Sequence, residues 1–190
     1  MKLSFIEKLS DKKETLVILS DKKSISKIAG LNKTILNLIT KSIKNEGFKF
    51  NKLESIEIIG EDKTGYSKII VIGCGDVDFL TLQDYDLIGG KVTQLNSKSS
   101  NNLELIVSQN ILNDTSLLRI GYGATLATYR FDKYKSKKSK ISFPKNIKIL
   151  SKNSKELSKK FNHKKSVAEG VFLARDLVNE PSNILNPEDY

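Results

Sequence analysis

Two short apolar runs limit what this chain can fold into. Leu16-Val17-Ile18-Leu19 and Ile69-Ile70-Val71-Ile72 are each unbroken by a polar residue. A half-buried strand would alternate, and an amphipathic helix would return to solvent within each turn. Runs this short that do neither read as strands covered on both faces, which is the condition of strands inside a layered α/β domain.

The intervening segments supply the covering helices. Asn32 stands where an N-cap belongs, Ile35, Leu38, Ile39 and Ile43 repeat at helical spacing, and Gly47 is a stop signal. Leu53 to Ile59 alternates, with Ile56 and Ile58 on one side. Turn residues between Asp62 and Gly65 then predict a hairpin with the Lys68 to Cys74 run. The sheet is therefore expected to be mixed. Thr81 with Asp84 three residues on resembles a capping box, ahead of a face formed by Tyr85, Ile88, Val92 and Leu95. Leu103 to Val107 reads as a strand. Asp114, Thr115 or Ser116 is expected to cap the next helix, whose stripe is Leu117, Gly121, Ala124, Thr128 and Phe131. The small residues on it imply close packing. Ile147 to Leu150 is a last short strand. In the final helix Val167, Val171, Ala174 and Val178 share a face, and Pro181 should stop the helix near Asn179. Asn186-Pro187-Glu188-Asp189 reads as another helix start, with Tyr190 closing the sequence.

Composition narrows the class. A chain of 190 residues holds one substantial domain and a tail, and such a domain buries roughly 70% of its unfolded surface without staples. Cys74 is the only cysteine, so no internal disulfide framework exists and a reducing compartment fits. Glu7 and Asp11 interrupt the apolar stretch that a secretion signal would need. No run approaches the ~18 apolar residues of a membrane span. A soluble cytoplasmic protein is the expectation. The formal net charge of +10 invites a nucleic-acid reading. However, the basic residues are nearly all lysines, the arginines being Arg119, Arg130 and Arg175, and lysine lacks the planar fork used for bidentate recognition.

The chemistry-bearing side chains are sparse. His163 is the only histidine and lies among lysines, so no multi-histidine zinc site can form. Cys74 ends an apolar run and reads as a buried, inert thiol. The acid pairs Glu61-Asp62 and Asp76 with Asp78 fall in turns, where Asp satisfies local backbone donors. Gly73-Cys74-Gly75 after a strand has the look of a dinucleotide-binding turn, but Asp78 stands where the third glycine belongs, and two acids would face the phosphates. Lys133, Lys135, Lys137, Lys138 and Lys140, interleaved with Tyr134, are the candidate nucleic-acid surface.

Three runs resemble the leucyl (cytosol) aminopeptidase family in order and spacing. Ala174-Arg175-Asp176-Leu177-Val178-Asn179-Glu180-Pro181-Ser182-Asn183, continuing through Leu185 and Pro187, is similar to the family's junction between its two domains. Tyr129-Arg130-Phe131-Asp132-Lys133-Tyr134-Lys135 resembles a segment of its amino-terminal domain. Val71-Ile72-Gly73-Cys74-Gly75, followed by Gly89-Gly90, looks like one of its strands and the helix after it.

The resemblance implies a non-catalytic, three-layer, macro-domain-like α/β domain over residues 1–150 with a mixed sheet flanked by helices. A linker helix over 151–181 and the first turn of a catalytic domain over 182–190 would follow. It further implies a parent metallo-aminopeptidase that removes amino-terminal residues from peptides with two divalent ions (Mn or Zn) and assembles as a homo-hexamer. The ions' ligands would lie beyond this sequence, so the chain itself would hold no cofactor and have no activity alone. Arg175, Asp176, Asn179, Glu180 and Pro181 would then tether this domain to its own catalytic domain. Some bacterial members also bind DNA, which keeps the lysine surface open as an alternative.

Overall fold

The computed structural model describes residues 1–10, 15–28, 30–60, 64–96, 102–136 and 142–185. Six strands form one sheet: β1 Lys2–Ile6, β2 Thr15–Ser20, β3 Ser55–Ile59, β4 Lys68–Gly73, β5 Asn102–Val107 and β6 Asn146–Leu150. Their order is β1-β6-β5-β2-β4-β3. All neighbours are parallel except β3 and β4, which pair antiparallel with Ile56 opposite Val71. The hairpin and the mixed sheet expected from sequence are both present. Residues 61–63 of its turn lie outside the described residues.

Both central apolar runs are covered on two sides, as their lack of alternation requires. Val17, Leu19, Ile70 and Ile72 face one core; Leu16, Ile18, Ile69 and Val71 face the other. The first core is closed by α2 Leu82–Leu95, α3 Asp114–Leu126 and the start of α4 Ser154–Asn179. The second is closed by α1 Lys33–Glu46 through Ile35 and Ile39. The result is three layers.

Local signals set the helix ends. The Asn32 side chain accepts a hydrogen bond from the Ile35 amide at 2.8 Å. Gly47 closes α1 in the left-handed conformation, φ 64°. At the start of α2, Thr81 and Asp84 form the reciprocal capping box. The carboxylate of Asp84 also takes Lys52 at 2.6 Å, and chiefly that contact holds its pKa down at about 2. α2 and α3 pack backbone to backbone. A Cβ on Gly89 would lie 2.0 Å from the Ile120 carbonyl oxygen, and one on Gly123 would lie 2.0 Å from that of Asp86.

The structure departs from the sequence reading in four places. β1 had no counterpart in that reading. The cap of α3 is Asn113, whose side chain accepts from the Ser116 amide at 2.8 Å, while the Ser116 hydroxyl accepts from the Asn113 amide. Asp114, Thr115 and Ser116 are therefore inside the helix, the last as the third residue of a capping box. α3 ends at Leu126, so Thr128 and Phe131 leave the stripe assigned to them. Finally, the face of α4 drawn through Val167, Val171, Ala174 and Val178 is not a core face. Val167 is 41% and Val178 83% exposed, and the helix instead buries Leu157, Phe161 and Ala168. Phe161 meets Phe5 edge-on at 5.7 Å.

Candidate interdomain clamp

The second half of α4 runs past the sheet. The loop after α3, residues 127–136, rises against it and brings two of the motif segments together. Tyr129 stacks on Phe172 with ring centroids 5.5 Å apart. Its hydroxyl donates to the Asp176 carboxylate at 2.9 Å and accepts from the Asn179 amide at 3.4 Å. The Arg175 guanidinium lies over the same ring, 5.3 Å from its centre. Asn179 also donates to the Arg175 carbonyl at 2.7 Å, filling one of the acceptors left open at the helix end.

One residue further, Glu180 leaves the helix with extended backbone, as the residue before a proline should. Its carboxylate takes Lys133 at 2.7 Å and the Tyr134 hydroxyl on its other oxygen. These bonds act on all three groups. Lys133 and Tyr134 hold the Glu180 carboxyl below its ordinary range, while Glu180 pushes the Lys133 ammonium and the Tyr134 phenol upward. Partial burial, then the Asp176 bond, raises Tyr129. Arg130, Phe131, Asp132, Lys133, Asp176 and Glu180 line an open recess of about 330 Å³ between the two segments. Pro181 opens a turn after the helix, its carbonyl accepting from the Ile184 and Leu185 amides at 2.9 and 3.1 Å.

Arg175, Asp176, Asn179 and Glu180 thus meet the tyrosine and lysine segment 46 to 50 residues earlier, whereas Pro181 bonds only within its own turn. The lysines assigned to a nucleic-acid surface divide. Lys133 is bound to Glu180 and Lys135 to Asp132 at 2.7 Å. Lys137, Lys138 and Lys140 lie outside the described residues. Arg130 approaches Asp132 at 4.0 Å and covers the Phe143 ring at 4.9 Å. Tyr129, which holds Asp176, carries no role in the sequence reading, and Tyr134, which holds Glu180, enters it only among the lysines of the nucleic-acid surface; their place within a matched motif was the available signal.

The other sequence candidates resolve as packing. Cys74 is fully buried, and burial, with the nearby Asp21 charge, pushes its thiol up to about 12. His163 is exposed on α4. The Asp76 carboxylate accepts from the Asp78 amide at 3.2 Å, a local turn bond. Gly73 and Gly75 serve the loop over residues 48–54 rather than a phosphate. The amides of Gly73, Cys74 and Gly75 are engaged by the carbonyls of Glu54, Ser20 and Phe50. A Cβ on Gly73 would sit 2.5 Å from the Asn51 carbonyl oxygen. Phe50 and Leu53 in that loop adopt left-handed φ values of 63° and 65°, which L-residues avoid, and the Glu54 carboxylate pins the turn through the amides of Lys49 and Asn51. Among the described residues no three His, Cys, Asp or Glu side chains gather as a metal ion requires. The described residues therefore do not fit the two divalent ions implied by the resemblance. Among the described residues no helix is long and apolar enough to cross a membrane.

The sequence profile of the "cytosol aminopeptidase family, N-terminal domain" matches residues 16–138. The chain belongs to the cytosol aminopeptidase family. It is 33% identical over 205 residues to a probable cytosol aminopeptidase of Rickettsia rickettsii, matching along 100% of this chain and 40% of that protein. A probable cytosol aminopeptidase of Rickettsia bellii is 35% identical over 199 residues, covering 99% of this chain and 39% of its own length. The chain therefore spans about 40% of the length of the curated relatives it matches. Among solved structures, a tomato leucine aminopeptidase mutant superposes with a TM-score of 0.79 at 20% identity, over 100% of this chain and 40% of that one. BotP, a bottromycin maturation enzyme solved in complex with Mn, gives 0.65 at 16% identity over 92% and 34%. At these identities the superpositions establish the fold, a six-stranded mixed sheet flanked by helices like the amino-terminal domain of leucine aminopeptidase.

Proposed function

We propose that this chain is the non-catalytic, amino-terminal part of a metal-dependent aminopeptidase that removes amino-terminal residues from peptides in the cytoplasm. Residues 1–150 form its α/β domain, 151–181 its linker helix, and 182–190 the entry to the catalytic domain. The catalytic groups and two divalent ions, Mn or Zn, belong to the part of the relatives that lies beyond the match. The domain's own role is structural: it sets the direction of α4 and supports assembly, as a homo-hexamer in the parent.

The observation that carries this reading is the clamp. A helix that overshoots its domain has no core to fix its direction. Here Tyr129, Lys133 and Tyr134 fix it through Asp176 and Glu180. Meanwhile Leu173, Val178 and Ile184 are left 61%, 83% and 50% exposed on the far part, where a following domain would cover them. Holding an arm at a set angle is useful only if something is attached to it.

The test compares release of leucine from leucyl-p-nitroanilide by the 190-residue chain and by a protein of the relatives' full length, each with Mn²⁺ or Zn²⁺. Turnover is expected only from the longer protein. Metal-dependent turnover by the 190-residue chain would overturn the non-catalytic assignment. In the longer protein, Glu180→Gln is expected to shift the oligomer toward smaller species, read by light scattering, before it changes turnover per intact hexamer.

A further inference from the structure

A concave region apart from the clamp lies at the carboxyl ends of the central strands β2 and β4. The loop after β2 leads to α1 on one face, and the loop after β4 leads to α2 on the other. Where successive connections leave a parallel sheet in opposite directions, the strands' carboxyl ends are left with a crevice between the loops, the usual ligand position in open α/β sheets. The crevice exists here as a cleft of about 580 Å³, within the range of small-molecule sites.

Its lining carries both signs of charge. Lys22 and Lys23 come from the loop after β2 and Lys49 from the strained loop over residues 48–54, whereas Asp76 and Asp78 come from the loop after β4. None of these five makes an ion pair among the described residues. Lys52, also on the rim, is already neutralised by Asp84. Asp21 is 5% exposed yet lines the cleft. One of its oxygens accepts from the Ser24 amide at 3.2 Å, and the other has no hydrogen-bond partner among the described residues. That second oxygen is not sealed in the core: it is open to the cleft and to water.

That chemistry selects among ligands. A phosphate would meet the Asp21, Asp76 and Asp78 carboxylates, and the Gly73, Cys74 and Gly75 amides that could have cradled it are engaged elsewhere. A lone metal cation would meet three lysines. A molecule with an ammonium and a carboxylate answers both signs: donors for Asp21, Asp76 and Asp78, acceptors for Lys22, Lys23 and Lys49. We propose that this cleft is a binding site for a small zwitterion, a free α-amino acid or a short peptide with free ends. The proposal concerns this chain alone and stands apart from the aminopeptidase reading.

Amide chemical shifts of the 190-residue chain, followed by NMR during titration, test it. L-alanine, dialanine and trialanine are compared with propylamine, propionate, inorganic phosphate and ADP-ribose. At least one zwitterion is expected to give saturable shifts confined to residues 20–24, 48–53, 75–78 and 108–110. Propylamine and propionate, each carrying one of the charges, should bind at least about tenfold more weakly, the scale of one charge-assisted contact. Asp21→Asn should weaken the zwitterion by a similar factor, and Lys49→Ala, at an exposed site that the fold does not depend on, should do so with an unchanged melting curve. Absence of saturable shifts with every zwitterion up to about 50 mM, where a millimolar site would be filled, overturns the proposal. Tighter binding of phosphate or ADP-ribose, or equal binding of propylamine, does so as well.

Discussion

Between Ser154 and Ala168, α4 buries Leu157, Phe161 and Ala168; beyond Ala168 no side chain of the helix is fully buried. The two halves share one backbone and are held by different physics. The inner half is held by apolar area removed from water and by the Phe5 to Phe161 contact, forces that are strong and insensitive to direction. The outer half is held by the Tyr129 ring against Phe172 and Arg175 and by bonds to Asp176 and Glu180 that are individually weak and strongly directional. The inner half therefore belongs to the domain's stability, and the outer half takes its direction from the clamp.

The sharpest way to break this contrast is to remove the inner anchor. Phe161→Ala should destabilise the whole domain by about 3–5 kcal/mol, the usual cost of deleting a buried aromatic ring. Equilibrium unfolding in urea would show it as a lower midpoint at unchanged slope. If Phe161→Ala only frayed α4 and left the midpoint alone, the inner half would be an accessory like the outer one.

The same contrast explains what the sequence revealed. The buried runs of β2 and β4, the Asn32 and Gly47 ends of α1 and the Thr81 to Asp84 box were legible because each rests on neighbours within one turn or one strand. β1 was not, because an edge strand is only partly covered: Lys2-Leu3-Ser4-Phe5-Ile6 buries Phe5 alone. At α3 the residues Asn113, Asp114, Thr115 and Ser116 can all cap, and only the reciprocal fit of Asn113 with Ser116 decides. The apolar spacing of Val167, Val171, Ala174 and Val178 was read correctly as a pattern, but periodicity does not say what covers a face. The five residues from Arg175 to Pro181 were legible as candidates through family resemblance. Their partners Tyr129, Lys133 and Tyr134 were not, because 46 to 50 residues separate the two sides.

A smaller effect is expected from breaking the clamp. Glu180→Gln keeps the shape of the side chain and removes its charge. The urea midpoint should stay near that of the unaltered chain, while NMR order parameters of residues 172–180 fall. Tyr129→Phe, which keeps the stack on Phe172 and loses only the hydroxyl, should loosen the same residues less. A lowered midpoint with unchanged order parameters in Glu180→Gln would place Glu180 in the core's cooperative unit instead.

Protonation makes the same cut without a mutation. Glu180 has its pKa lowered in the folded chain, so its contribution is complete above the unfolded carboxyl value of about 4.3 and is lost as pH falls through the folded value. Lys133 has its pKa raised, so its share is complete below about 10.4 and is lost as pH rises through the folded value. Order parameters of residues 172–180 should therefore be flat from about pH 5 to 10 and fall at lower pH. The inner half, with no ionised group at Leu157, Phe161 or Ala168, should change only when the whole domain unfolds. Parallel loss of both halves on acidification would merge the two regions into one.

The smallest expected effect is the most informative about partners. Val178 is 83% exposed, so Val178→Ser removes almost no burial and should shift the stability of the 190-residue chain by no more than about 0.5 kcal/mol. In a protein of the relatives' full length the same substitution should lower the melting temperature or favour dissociation, because there the side chain would be buried against the following domain and its transfer free energy would return. Equal indifference in both proteins would mean that the outer half of α4 stays in water throughout, and that the clamp directs an arm that carries no interface.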